Sequence, residues 1–327
     1  MAEAAARYLK QPHDKPFLMV LSLLNPHDIC QFGRGEPMTC GPIGDTPPAE
    51  ACPPAPPNLA PPENESDSIA TIRKGYHASR LFPVGDFTED QWRQYQWGYH
   101  RLVEKADAEL AKVLAALRQA GLEESTAIVF TSDHGECAGA HRFNQKTVFY
   151  QESACVPLIV SWKGKTRQGE SGALVNTGVD LYATLCDLAG LAPPANLTGR
   201  SLKPIALGAA VPADWRDHLV VQNDMVQTGR VGDIQPRMQG RMVRSRRYKY
   251  CVFQYGEQRE ELFDLETDPL ETRNVAGDPA LRETVLQHRE LLRQFAREHG
   301  DSLVGELLAD SVGPRPFRKS APADPRG

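Results

Sequence analysis

The sequence predicts an α/β fold: a mixed sheet flanked by helices, leading into a small C-terminal antiparallel sheet with its own helix. Three observations predict it. Residues 88–121 read as one long amphipathic helix, followed at once by the β-branched run Ala127-Ile-Val-Phe-Thr131. The texture recurs as the apolar run 156–161 followed by a helical segment over 180–190. After residue 210 the pattern changes to alternating strands over 241–252 and 260–265, then a helix opened by Asp278-Pro279.

Taken in order, residues 16–22 (PFLMVLS) form a short apolar run without helical period, ended by the turn signal Asn25-Pro26-His27, and are predicted as a buried strand. Residues 37–62 hold ten of the 26 prolines, which cannot donate to a regular ladder, so an excursion is predicted over 37–67. Thr88-Glu-Asp-Gln91 is a capping box. Behind it, Trp92, Tyr95, Tyr99, Val103, Ala106, Leu110, Val113 and Leu117 recur in steps of three and four, and Gly121 supplies the stop. The run 127–131 is predicted to be a parallel strand, and Val156-Pro-Leu-Ile-Val-Ser161 another buried strand. The helix over 180–190 begins with Asp and ends with Gly. Leu281, Val285, His288, Leu292 and Phe295 mark the buried face of the last helix, which Gly300 ends. This divides the chain into an α/β part (1–210), an α+β part (211–310) and a Pro- and Arg-rich tail (311–327) predicted to be disordered from Gly313.

The 327 residues are 41% hydrophobic and 24% charged, which is the composition of a chain that builds a core. The formal net charge is −5 and the pI near 6.0, which argues against a dedicated nucleic-acid binder. An anionic substrate is not excluded, because local charge decides that. No run of eighteen apolar residues occurs, so no membrane span is predicted, and the polar start MAEAAARYLKQPHDKPF has no signal-peptide h-region. The seven cysteines form no C-x-x-C pair and are predicted to be reduced and mostly buried.

Asp133-His134-Gly135-Glu136 is the sharpest candidate for chemistry. It follows a predicted strand, where open α/β sheets bind ligands; Asp and His ligate metals, and the glycine allows a tight turn. The plainer reading is a strand-to-loop turn with Asp as a cap. Lys146 and His141 lie just downstream in Gly139-Ala-His-Arg-Phe-Asn-Gln-Lys146. Each alone is an ordinary surface residue, but with Asp133 and His134 they make a metal–cation cluster suited to a tetrahedral oxyanion. His27 stands at a second predicted strand end. The basic group Arg241, Arg244, Arg246, Arg247 and Lys249 alternates with apolar residues and reads as the solvated face of an edge strand, with an anion site as the alternative.

In this order the pieces resemble the sulfatase family of the alkaline-phosphatase superfamily. The stretches that carry the resemblance are PFLMVLSLLNPHD, YHRLVEKADAELAKVLAALRQAGLEESTAIVFTSDHGE, AGAHRFNQKTVFYQESACVPLIVS, VDLYATLCDLAGLAPPANLTGRSL and RSRRYKY…ELFDLETDPLETRNVA, together most of residues 10–276. The resemblance implies a partial alkaline-phosphatase-like fold and hydrolysis of a sulfate ester. It implies that Asp133 and His134 are metal ligands and that Lys146 holds a sulfate oxygen. It also implies that His27 contacts the sulfate or protonates the leaving oxygen, and that His141 binds substrate. The implied cofactors are one divalent ion, calcium by family habit with manganese suggested by the histidine, and a formylglycine. The implied partner is a sulfate-ester small molecule or a sulfated glycan, and members of the family are often periplasmic or secreted.

The chain also departs from the family. The formylglycine motif C/S-x-P-x-R is absent, since Cys40-Gly-Pro-Ile-Gly44 lacks the arginine and Cys52-Pro-Pro fails too. The paired N-terminal aspartates that complete the metal site are absent as well. The expectation is that an N-terminal segment or a second subunit carries them and that this chain alone is inactive. A phosphoester or phosphonate hydrolase of the same superfamily, and a non-catalytic protein that binds sulfated ligands, are the competing readings.

Overall fold

The computed structural model describes residues 1–225, 228–236, 238–309 and 313–317. Its helices are α1 (Ala2–Leu9), α2 (Ile29–Arg34), α3 (Asp67–His77), α4 (Glu89–Gln119), α5 (Gln151–Ala154), α6 (Thr177–Leu188), α7 (Lys203–Ala206), α8 (Arg282–His299) and α9 (Ser302–Leu307). The strands are β1 (Ile128–Thr131), β2 (Leu158–Ser161), β3 (His218–Met225), β4 (Met238–Ser245), β5 (Tyr248–Phe253) and β6 (Glu260–Asp264). No helix among the described residues is long and apolar enough to cross a membrane.

The chain divides into two units, each assembled from three separate stretches of the sequence. The first comprises Met1–His27, Arg101–Asp133 and Pro157–Leu219; the second comprises Asp28–His100, His134–Val156 and the chain from Val220 onward.

In the first unit, Ala2, Ala5 and Leu9 of α1 pack on Val113, Ala116 and Leu117 of α4, with Phe17, Met19, Leu21 and Ile128 against them. Segment 16–22 belongs to no helix or strand and pairs with no strand among the described residues. It is half in the core and half out: Leu18 and Val20 are 70% and 77% exposed, so the predicted buried strand is corrected to an irregular, partly buried segment. β1 and β2 pair antiparallel, Phe130 facing Ile159, where a parallel strand was expected. Between them, 132–157 contains only a 3₁₀ turn and the one-turn α5, which is no crossover helix of the kind a parallel pair requires.

The VDL and TGRSL segments form one buried construction in this unit. The Asp180 carboxylate, fully buried, accepts the N–H groups of Asn176 and Arg200 at 2.8 Å each and pairs with both terminal nitrogens of Arg216. Gly199 is required beside it, because a Cβ there would stand 2.0 Å from the Val179 carbonyl oxygen.

In the second unit, the C-terminal sheet has the order β3-β4-β5-β6, with β4–β5 and β5–β6 antiparallel. Val243, Tyr250, Val252 and Leu262 pack under α8 and α9 through Val285, Leu292, Val304 and Leu307. The other face meets α3 and the segment 143–150: Ile69, Ile72, Tyr76, Phe143, Phe149 and Tyr150 cluster with Met242, Cys251, Phe253 and Phe263. β4 and β5 are therefore central, and the expected solvated edge is corrected in part: Lys249 is fully buried and Arg241 nearly so, paired with Asp301 at 2.6 Å, while Arg246 and Arg247, in the turn between the strands, are exposed.

The α4 capping box forms as predicted, with Thr88 N–H on Gln91 Oε1 at 2.8 Å and Gln91 N–H on Thr88 Oγ1 at 3.3 Å. Asp278 caps the turn before α8, and Gly300 ends that helix at φ 70°. The Pro-rich excursion is irregular apart from a 3₁₀ turn, but it dips inward at Asn58, which is 3% exposed. Most of the predicted tail lies outside the described residues; within 313–317, Arg315 and Gly256 exchange backbone hydrogen bonds of 2.8 Å, so that piece is held by the turn between β5 and β6. None of the seven cysteines is in a disulfide; Cys30, Cys52, Cys137 and Cys251 are buried, while Cys40 and Cys155 are exposed.

Candidate functional site

The expected site residues divide between the units. His27 and Asp133 belong to the first and are exposed; His134, His141 and Lys146 belong to the second, on one loop.

That loop is shaped around Gly135 and Glu136. Gly135 N–H donates to the Ser153 carbonyl at 2.9 Å, and a Cβ on Gly135 would stand 1.9 Å from the Glu152 carbonyl oxygen, so the position admits only glycine. His134 Nδ1 lies 2.8 Å from the Gly135 carbonyl oxygen. A carbonyl only accepts, so in the neutral ring Nδ1 carries the hydrogen and Nε2 keeps its lone pair. This is the tautomer that presents Nε2 to a metal ion.

Glu136 is the loop's hub. Its Oε1 accepts the N–H groups of Ala138 and Gln145 and the hydroxyl of Tyr95 from α4. Desolvation pushes the Glu136 carboxyl up, and these hydrogen bonds and the Lys146 ammonium work against the rise. Two bonds close the loop: Cys137 N–H donates to the Gln145 carbonyl at 2.7 Å, and Gln96 Nε2, from α4, donates to the Ala138 carbonyl at 2.7 Å.

The loop's backbone is strained. Ala138, His141, Arg142, Gln145 and Thr147 have φ of 47°, 53°, 58°, 66° and 81°. Positive φ is uncommon outside glycine and least tolerable at a β-branched residue such as Thr147. Lys146 sits between two of these residues, half-buried, with its carbonyl accepting the Tyr76 hydroxyl at 2.8 Å. Strain of this kind persists only where surrounding bonds over-determine the backbone, and it concentrates at functional sites.

His141 is placed differently from the expectation. It is fully buried, stacked on Tyr150 with ring centroids 3.9 Å apart, and its Nε2 is 3.2 Å from Asn58 Nδ2. Burial lowers its pKa to about 4, so it is neutral at pH 7. In this structure its ring is enclosed by Tyr150 and Asn58 instead of lying at the surface beside Lys146. His141, Glu152 and Glu271 bring ligand-type atoms within 4.8 Å of one another, and the Lys249 ammonium pairs with Glu271.

The sequence reading includes Glu136 in its sharpest run without giving it a role, and it misses Tyr76, Asn58 and Glu271. Glu136 adjoins the Asp-His-Gly run and was the one legible signal; the others come from distant segments and have no local signature.

The sulfatase family profile matches residues 1–191, and that of the N-sulphoglucosamine sulphohydrolase C-terminal region matches 139–298. The chain belongs to the sulfatase family. It is 31% identical to the Delta 4,5-hexuronate-2-O-sulfatase of Bacteroides thetaiotaomicron over 91% of this chain and 60% of that one. It is 29% identical to the multifunctional alkaline phosphatase superfamily protein PehA of Trinickia caryophylli over 95% of this chain and 61% of that one. A solved 2-O GAG sulfatase superposes with a TM-score of 0.79 at 28% identity, covering 98% of this chain and 68% of its own. This sulfatase chain thus spans about 60% of the length of the curated relatives that it matches along most of its sequence. Sulfatases are hydrolases acting on ester bonds.

Proposed function

We propose that this chain supplies the oxyanion-binding half of a sulfuric ester hydrolase site. The observation that carries the proposal is the Lys146 loop, a lysine held between two left-handed residues in a chain whose relatives include a hexuronate sulfatase. In this reading the Lys146 ammonium binds a sulfate oxygen and stabilises charge gathered there as the ester S–O bond breaks. His27 contacts the sulfate or gives a proton to the leaving oxygen.

Asp133 and His134 would hold a divalent cation, calcium first and manganese as the softer alternative. The His134 tautomer fits a ligand, and the carboxylate–imidazole pair offers one oxygen and one nitrogen donor. When bound, the cation adds Lewis-acid stabilisation of the sulfuryl oxygens. Neither the C/S-x-P-x-R motif nor the paired aspartates occur in this chain, so the reading assigns the nucleophile and the remaining donors to polypeptide outside it. The substrate class it favours is a sulfated glycan or small sulfate ester.

The test is aryl sulfate hydrolysis by this chain with calcium or manganese, against Lys146→Ala. The expected rate is the same for both and no higher than background; Lys146-dependent turnover would show that the chain carries its own nucleophile. PehA's description as multifunctional, together with His134, favours a phosphate or phosphonate ester as the second reading. Matched sulfate and phosphate esters given to a complex with the missing groups restored would separate the two, and a preference for phosphate would replace the first reading by the second.

A further inference from the structure

The buried His141, Glu152 and Glu271 have the composition of a metal site, but a cation already sits there. Lys249, from the central strand β5, is 1% exposed at its side chain, and its ammonium pairs with the equally buried Glu271 carboxylate. The pair leaves hydrogen-bonding capacity on both sides, and both ends spend it on the same short segment. Lys249 Nζ donates to the Phe149 carbonyl at 2.6 Å, and Glu271 Oε2 accepts the Gln151 N–H at 2.7 Å. Phe149 and Gln151 follow Lys146 by three and five residues. With Tyr76 on the Lys146 carbonyl and Asn223 on the Thr147 carbonyl, four side-chain bonds fix the backbone from 146 to 151.

We infer that Lys249 and Glu271 are positioning residues: a buried ion pair of the C-terminal sheet that holds the Lys146 segment in its strained, site-forming conformation. Its importance to the reaction rests on the oxyanion role proposed for Lys146. A buried pair is weak evidence for net stability, since well-packed apolar replacements often match it. What such replacements cannot reproduce is the bond to the Phe149 carbonyl and the acceptor for Gln151 N–H. With those two bonds gone, fewer contacts over-determine the backbone around Gln145 and Thr147, and its strain relaxes toward the 149–151 end.

The experiment is peptide-resolved amide hydrogen exchange on the full chain, with the acetylation rate of the Lys146 amine measured beside it. The variants are Glu271→Gln, which keeps size and shape, and the double apolar replacement Lys249→Met with Glu271→Leu, which keeps the fold if the single change loosens it. The expected result is exchange over 145–152 at least tenfold faster, with β5 and β6 unchanged within about threefold, and a changed Lys146 acetylation rate. Unchanged exchange over 145–152 in the folded double variant, or an equal rise across the whole sheet, would overturn the inference by reducing the pair to general stability. Neither readout involves sulfate, so a failure of the oxyanion reading in the ligand experiments would be seen separately.

Discussion

Replacing Gly135 by alanine tests the construction of the loop at its tightest point. The added methyl would stand 1.9 Å from the Glu152 carbonyl oxygen and 2.9 Å from the carbonyl carbon, both backbone atoms that no rotamer change can move aside. Real Cβ contacts essentially never fall under 3.0 Å, so one backbone must retreat by more than about 1 Å. A retreat of that size breaks the 2.9 Å hydrogen bond from Gly135 N–H to the Ser153 carbonyl. The lost bond costs about 1 kcal/mol, and backbone displacement raises the expected total to about 2–4 kcal/mol. The assay is urea unfolding followed by tryptophan fluorescence, with Gly277→Ala as the control, because Gly277 lies in the same unit with nothing within 4 Å of its Cβ position. The control should stay within about 0.5 kcal/mol of the parent. If Gly135→Ala also stays within that margin, the close approach of the two backbone segments is wrong, and so is the account of how His134 is oriented.

Asp180→Asn should cost about 3–5 kcal/mol in the same assay, since it leaves Arg216 facing a buried neutral amide, while Asp180→Leu combined with Arg216→Met should cost clearly less. Equal losses would show that the pair is not what matters there. Two buried groups should give opposite pH dependences. Desolvation, with the Glu65 charge adding to it, raises Glu261 to about 7, so the folded chain binds the extra proton and stability falls as pH rises from about 4.5 to about 7, by on the order of 3 kcal/mol. His141 is lowered to about 4, so there the unfolded chain binds the extra proton and stability rises with pH from about 4 to about 6.5. The two slopes nearly cancel over most of that range: Glu261→Gln should leave a rise with pH and His141→Gln a fall, and unfolding profiles that keep the parent slope in both variants would contradict these assignments.

Helix α4 was legible because its start is written in local chemistry, Thr88 and Gln91 capping one another, and its face in a period that Trp92, Tyr95, Val113 and Leu117 keep. Midway the stripe shifts: Leu102 is buried and Val103 is 42% exposed, where a strict count chose the valine. Strand pairing was less legible, because the partner of 128–131 is decided by a segment thirty residues away. Nothing in the run 16–22 reveals whether a neighbour is present. The basic stretch misled for a related reason. Alternation identifies a strand but not a central one, and β5 is buried on both faces from Lys249 to Phe253. A lysine in such a strand must find a carboxylate, and Glu271 lies far beyond any local window. At the site, residue types and order placed Asp133, His134 and Lys146 by resemblance, while the burial of His141 depended on Asn58 and Tyr150, which only the fold brings to it.

The central claim, a sulfate-oxygen site centred on Lys146, is tested most directly by calorimetry. The chain would be titrated, with calcium present, with a 2-O-sulfated uronate disaccharide and its desulfated twin, and the series repeated with Lys146→Ala. The account predicts binding that requires both the sulfate and the lysine, with affinity falling at least tenfold when either is removed. Equal affinity for the two sugars, or binding of the sulfated sugar that is unchanged by Lys146→Ala, would contradict it.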